Sequence, residues 1–173
     1  MPRFLIEVTG FALNLVPWLL LGFGMGSTIG VFLGGRLADL APARTLIAGF
    51  PLLFVIYGAL FLLSGSQPAM AILVFAFGAT NFALAAALQS RILKAAAAAP
   101  DLASTMISSV FNLGIAAGSA VGAVALSNGF SYAQLPLIGA TLMMVTSGLA
   151  VFATRLDRCA QLPLPAVQDL RRM

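Results

Sequence analysis

Histidine is absent from this chain of 173 residues, cysteine occurs once, and only 8% of the side chains are charged. Each shortage excludes something. Cys159 alone cannot form an internal disulfide, and without histidine or a CxxC pair there is no ligand set for a structural zinc. Cys159 lies just past the last apolar run, where it is either an idle thiol or a point of reversible lipid attachment. No nucleophile–base pair or metal set supports an enzyme, and nothing points to a cofactor. A soluble domain carries about a quarter charged residues. So little charge cannot cover a water-facing surface, and 61% of this chain is hydrophobic. Its solvent is the lipid bilayer. The net charge of +4 does not indicate nucleic acid, because the basic residues sit in short gaps between apolar runs.

Five apolar runs are long enough to cross a membrane, which needs about 20 residues each. They cover 11–35, 45–63, 68–90, 103–127 and 135–154, numbered here as the first to fifth spans. The fold class is therefore all-α, a polytopic helix bundle over 1–154 with a tail at 155–173. The opening MPRFLIEVTGFALNLVPWLL is not a signal peptide, since Glu7 interrupts it and the apolar region continues to Leu33. Turn residues mark the gaps. Ser66 and Asp101 are expected as helix N-caps, and NGFSYAQ at 128–134 as a polar turn. Pro17 and Pro51 fall inside helical patterns and are expected to kink them.

The basic residues alternate by gap. Arg36 and Arg44 flank the first, Arg91 and Lys94 lie in the third, and Arg155, Arg158, Arg171 and Arg172 in the tail. The second and fourth gaps have none. The positive-inside rule puts the basic gaps and the tail in the cytoplasm and the N-terminus outside. A chain that starts outside and has an odd number of spans looks like a piece of a longer one.

The second and fifth spans are nearly bare of polar residues. The others carry carboxamides and hydroxyls: Asn14, Ser27 and Thr28; then Thr80, Asn81 and Gln89; then Thr105, Ser108, Ser109, Asn112 and Ser119. Thr105, Ser108, Asn112 and Ser119 make one stripe at about 100° per residue. Asn14, Asn81, Gln89, Ser108 and Asn112 are candidates to line a water-accessible cavity; the alternative is hydrogen bonding between helices. No charged residue lies mid-span, so a proton relay would have to lie elsewhere. Two glycine stripes stand out. Gly22, Gly26, Gly30 and Gly34 recur every four residues in the first span, and Gly114, Gly118 and Gly122 in the fourth. Such stripes let backbones approach closely in lipid. Their partners are either neighbours in this bundle or helices of a second one.

The segment GGRLADLAPARTL, 34–46, resembles the cytoplasmic loop signature G-x-L-A-D of the major facilitator superfamily. LQSRILKAAAAAPDLASTMISSVFNLGIAAGSAVG, 88–122, is similar to the drug:proton antiporter branch that contains the arabinose efflux permeases, and EVTGF, 7–11, fits the approach to that family's eighth helix. The resemblance implies twelve helices in two halves, of which this chain would supply the eighth to twelfth, part of the C-terminal half. The seventh helix and the N-terminal half would be missing partners, packed on the first and fourth spans through the glycine stripes. The implied location is a bacterial inner membrane.

The resemblance also implies a conformational latch at Gly35, Arg36, Asp39 and Arg44, in which the aspartate steadies one state; the alternative is an ordinary interfacial charge. Asp39 would lie near the N-terminus of the fourth span, where a carboxylate is favoured by about 0.3–1 kcal/mol, and Arg91 would be its ion-pair partner. Leu40 stands where the family has a basic residue and Pro42 where it often has glycine, which weakens the signature. The implied activity is efflux of a small molecule, a drug or sugar, coupled to protons and working by alternating access, though not by this chain alone. The alternative is a non-transporting membrane protein that binds another membrane protein through the same glycines.

Overall fold

The structure, a computed structural model, describes residues 8–160, without the side chains of residue 42 and residues 157–160. Arg3, Glu7, the side chains of Arg158 and Cys159, and the tail from 161 with Arg171 and Arg172 lie outside the described residues. Five helices follow one another: α1 (Val16–Leu40), α2 (Pro42–Leu62), α3 (Gln67–Ala95), α4 (Pro100–Ser127) and α5 (Leu135–Ala160). All five are long and apolar enough to cross a membrane. There is no strand among the described residues, so the all-α class is observed.

The helices run beyond the apolar stretches at several ends. Backbone hydrogen bonding continues into the interface after the hydrocarbon ends, so α1 includes the polar turn Arg36–Asp39. Prolines set the starts. Pro42 and Pro100 each open a helix, and the residues before them, Ala41 (φ −155°, ψ 72°) and Ala99 (φ −148°, ψ 64°), lie outside the helical region. A residue preceding proline is pushed out of the helical region, which makes these breaks sharp.

Two local expectations are corrected and a third holds in position only. Pro17 does not kink a helix, because α1 begins at Val16 and proline in a first turn costs no hydrogen bond. Asp101 is not the cap of α4; Pro100 takes the first helical position, so Ala99 is the cap and Asp101 sits in the first turn. Ser66 occupies the N-cap of α3 but makes no side-chain cap bond. Pro51 does lie inside α2.

The bundle is built on a close seam between α1 and α3. Gly26, Gly30 and Gly34 face Phe75, Ala79 and Ala83, and a side chain at any of the three would overlap the backbone of α3. Gly78 answers from α3, where an added Cβ would come 2.6 Å from Phe23 O. The two helices run parallel. Gln67 Nε2 donates to Gly10 O (3.1 Å) at one end, and Lys94 Nζ to Asp39 Oδ1 (3.0 Å) at the other. α2 packs on α3 and α5. Tyr57 meets Phe77 edge-on at 5.2 Å and lies against Gly139. Leu46, Leu53, Met70, Val74 and Leu84 fill the buried cluster between these helices.

α4 stands apart. Ala103 is its one buried residue, and nothing lies within 4 Å of a Cβ placed on Gly114, Gly118 or Gly122.

Candidate functional site

Two regions hold the residues singled out in the sequence. The first is the turn between α1 and α2. What reads as a loop is a single residue, Ala41, between two helices. Gly35, Arg36 and Asp39 are on the last turns of α1, and Arg44 is on the first turn of α2. The non-helical conformation that Pro42 imposes on Ala41 makes the break in one residue, with no longer loop. Thr45 ties the turn together, its hydroxyl donating to Ala41 O (3.0 Å) and Leu37 O (3.2 Å). The Arg36 guanidinium lies 4.3 Å from the centre of the Phe32 ring, one turn back on α1.

Asp39 pairs with Lys94, which is 56% exposed against 73% for the aspartate. The sequence points to Arg91 for this role. Lys94 and Arg91 lie about one turn apart on α3, so sequence spacing does not separate them, and Arg91 makes an interaction of its own. Two exposed side chains in water gain little from pairing, up to about 1 kcal/mol. The contact is thus easily made and broken. It joins the ends of α1 and α3 where the described arginines 36, 44 and 91 also gather.

The second region is the outward surface of α4. Ser108 and Asn112 are exposed there, as are Thr105, Ser109 and Ser119. The hydroxyls bond their own helix: Thr105 to Asp101 O (2.9 Å), Ser108 to Ser104 O (3.1 Å), Ser109 to Thr105 O (3.0 Å) and Ser119 to Ile115 O (2.8 Å). They are satisfied without a neighbour. Asn112 has no hydrogen-bond partner among the described residues. A carboxamide left bare in hydrocarbon costs free energy, so this face needs water or a polar partner.

The remaining candidates are dispersed. Asn14 is exposed in the turn before α1, Asn81 is half-buried in the middle of α3, and Gln89 is exposed nearer its end. The five do not converge on a common pocket. The glycine stripes also part company. Gly26, Gly30 and Gly34 are consumed by α3 within this chain, which corrects the expectation that the α1 stripe meets helices outside it. Gly22 is open, and so is the whole α4 stripe. The signal for the α1 partner is in the sequence: Ala79, Ala83 and Ala87 recur every four residues on α3, a small-residue face matching that of α1.

No family model matches the chain. Individual proteins do. The chain is 38% identical over 136 residues to "Inner membrane transport protein YdhP" of Escherichia coli (strain K12), a match covering 79% of the chain and 34% of that protein. It is 40% identical over 134 residues to "Chloramphenicol resistance protein" of Streptomyces lividans, covering 77% and 34%. It is 29% identical over 143 residues to "Probable sugar efflux transporter" of Mannheimia succiniciproducens, covering 83% and 36%. The chain thus spans about a third of the length of the curated relatives it matches.

Proposed function

The chain is related to the bacterial drug and sugar efflux transporters of the major facilitator superfamily, and from that relationship we propose that it acts as the C-terminal portion of such a transporter, supplying the eighth to twelfth helices. The complete transporter moves a drug or sugar outward by alternating access, coupled to protons through groups outside this chain. The observation that carries this reading is α4. A helix with a polar stripe and a glycine stripe, both uncovered, fits one wall of a solute path and one side of a contact between halves.

In this reading Asn112 and Ser108 face the solute path from α4, with Asn14 contributing from the turn before α1 and Asn81 and Gln89 from α3. The basic end of the bundle lies in the cytoplasm and the N-terminus outside, which the distribution of Arg and Lys supports. The Asp39–Lys94 pair, with Gly35, Arg36, Arg44 and Arg91 around it, serves as the latch of one state. Its weakness suits that role, because a latch must open when the halves rock.

The test is transport. The full chain is reconstituted in liposomes, alone and joined to the part of the Escherichia coli relative that precedes the match, with chloramphenicol and arabinose as trial solutes. Flux from the joined protein and none from the chain alone is the expected result. Flux by the chain alone refutes the reading. No flux in either form, with stable capture of an unrelated membrane protein through α4, supports instead an interaction protein that uses the same glycines.

A further inference from the structure

A groove of about 460 Å³ lies between α1 and α2, with α3 as its floor. Leu33, Leu37 and Leu40 form one wall, Ala48 and Leu52 the other, and Ala83 lies beneath. Arg44 is the single charged residue that lines it, placed on the first turn of α2 at the basic end. Thr45 also borders the groove, but its hydroxyl is spent on Ala41 O and Leu37 O. Thr80 adds one hydroxyl to the α3 floor, and the rest of the trench is apolar with a cation at one end. The α1 wall runs from Gly30 to Leu40, about 15 Å at 1.5 Å per residue. That is half the roughly 30 Å thickness of a bilayer's hydrocarbon core, the depth of one leaflet.

We propose that this groove holds one acyl chain of an anionic phospholipid whose phosphate pairs with Arg44. The proposal needs only that the helices span a bilayer, not that the chain transports. Two facts favour this occupant. The leucine-lined length asks for hydrocarbon, and lipid is what surrounds these helices. The charge at the mouth asks for an anion: Arg44 has no ion pair among the described residues, and Asp39, the nearest acid in sequence, is taken by Lys94. A soluble phosphate would satisfy the arginine and leave the trench empty. A transmembrane helix, about 10 Å across, would cover the leucines but would have to bring an acid of its own to pair the guanidinium it buries. A phospholipid answers both ends with one molecule.

The test is lipid retention by the full chain purified in mild detergent, read by native mass spectrometry after adding phosphatidylglycerol or phosphatidylcholine of identical chains. One phosphatidylglycerol per chain is expected, preferred about five-fold, which corresponds to about 1 kcal/mol for one basic residue at a membrane surface. Arg44→Gln, an exposed change that leaves helicity intact by circular dichroism, should bring the preference close to parity. Arg155→Gln, on α5, should leave it unchanged. Ala48→Phe fills the trench and should lower retention of both lipids at least ten-fold. Equal retention of the two lipids by the native chain overturns the proposal. So does a preference that survives Arg44→Gln, inorganic phosphate displacing the lipid, or a second copy of the chain found in place of lipid. If Ala48→Phe fails to fold, the Arg44→Gln comparison decides alone.

Discussion

The seam between α1 and α3 makes a quantitative prediction from two glycines that look alike in sequence. Gly30 and Gly118 each sit inside an apolar helix, in a stripe of period four. A Cβ on Gly30 would overlap Ala79 O outright and lie 2.8 Å from Ala79 C and 2.9 Å from Ala79 Cα, where ordinary contact begins at 3.4 Å. A Cβ on Gly118 would meet nothing within 4 Å. Gly30→Ala must therefore part the helices by roughly 0.5–1 Å, which forfeits a quarter to a half of each dispersion contact along the seam. At about 0.1–0.2 kcal/mol per atom pair, and a few tens of pairs, the loss is roughly 1–3 kcal/mol. Overpacking of a full core costs the same amount, about 1–3 kcal/mol. Both substitutions gain the same helix propensity, up to about 1 kcal/mol in water, so it cancels in the comparison. Gly30→Ala should be less stable than Gly118→Ala by roughly 1–3 kcal/mol. The assay is reversible unfolding in mixed micelles with rising dodecyl sulfate, followed by far-ultraviolet circular dichroism. Two variants that agree to within about 0.5 kcal/mol would refute the reasoning, since no seam would then be there to part.

Further outcomes follow from the other sites. Asp39→Asn should change the unfolding free energy of the isolated chain by under about 1 kcal/mol, because the pair is exposed, yet lower flux several-fold in the joined transporter; the swap Asp39→Lys with Lys94→Asp should restore part of it. Gly118→Leu should leave the unfolding of the chain alone unchanged while weakening co-purification with the preceding portion of the Escherichia coli relative at least ten-fold. In whole cells, with Cys159 replaced by serine, Ser66→Cys should react with an impermeant maleimide, and Ala96→Cys should react only after permeabilisation; the reverse pattern would invert the proposed orientation. Met70→Ala, at a fully buried position, should destabilise the bundle by about 2–5 kcal/mol in the same micelle titration.

Hydrophobic length alone was enough to find five helices, because lipid leaves the backbone no other way to satisfy its hydrogen bonds. Their ends were harder to read. Pro17 and Pro100 looked like a kink and a gap but are first-turn residues, a distinction that depends on where the preceding segment stops being helical. The glycine periodicity identified a packing face on α1 and another on α4. Periodicity names a face and not the neighbour on it, so spacing leaves the partner of the α1 stripe open; the family resemblance points outside the chain, although Ala79 and Ala83 are available on α3. The partner of Asp39 was legible only to within one helical turn. The candidate site residues share small polar chemistry, but Asn81 on α3 and Asn112 on α4 belong to faces that no spacing rule relates, since their mutual placement is set by how α4 is held.

The isolation of α4 also has a kinetic meaning. It is joined to α3 through Ala96–Ala99 and to α5 through the turn at Asn128–Gln134, so it cannot drift off into the bilayer. A partner that docks on α1 or α3 meets α4 at the effective concentration its two tethers set, in the millimolar range for short linkers. Each individual contact along α4 can then be weak and quickly reversible while the assembled pair stays together. A moving part that must rebind on every cycle is served by such an arrangement, because the second contact forms within one molecule instead of by a fresh collision.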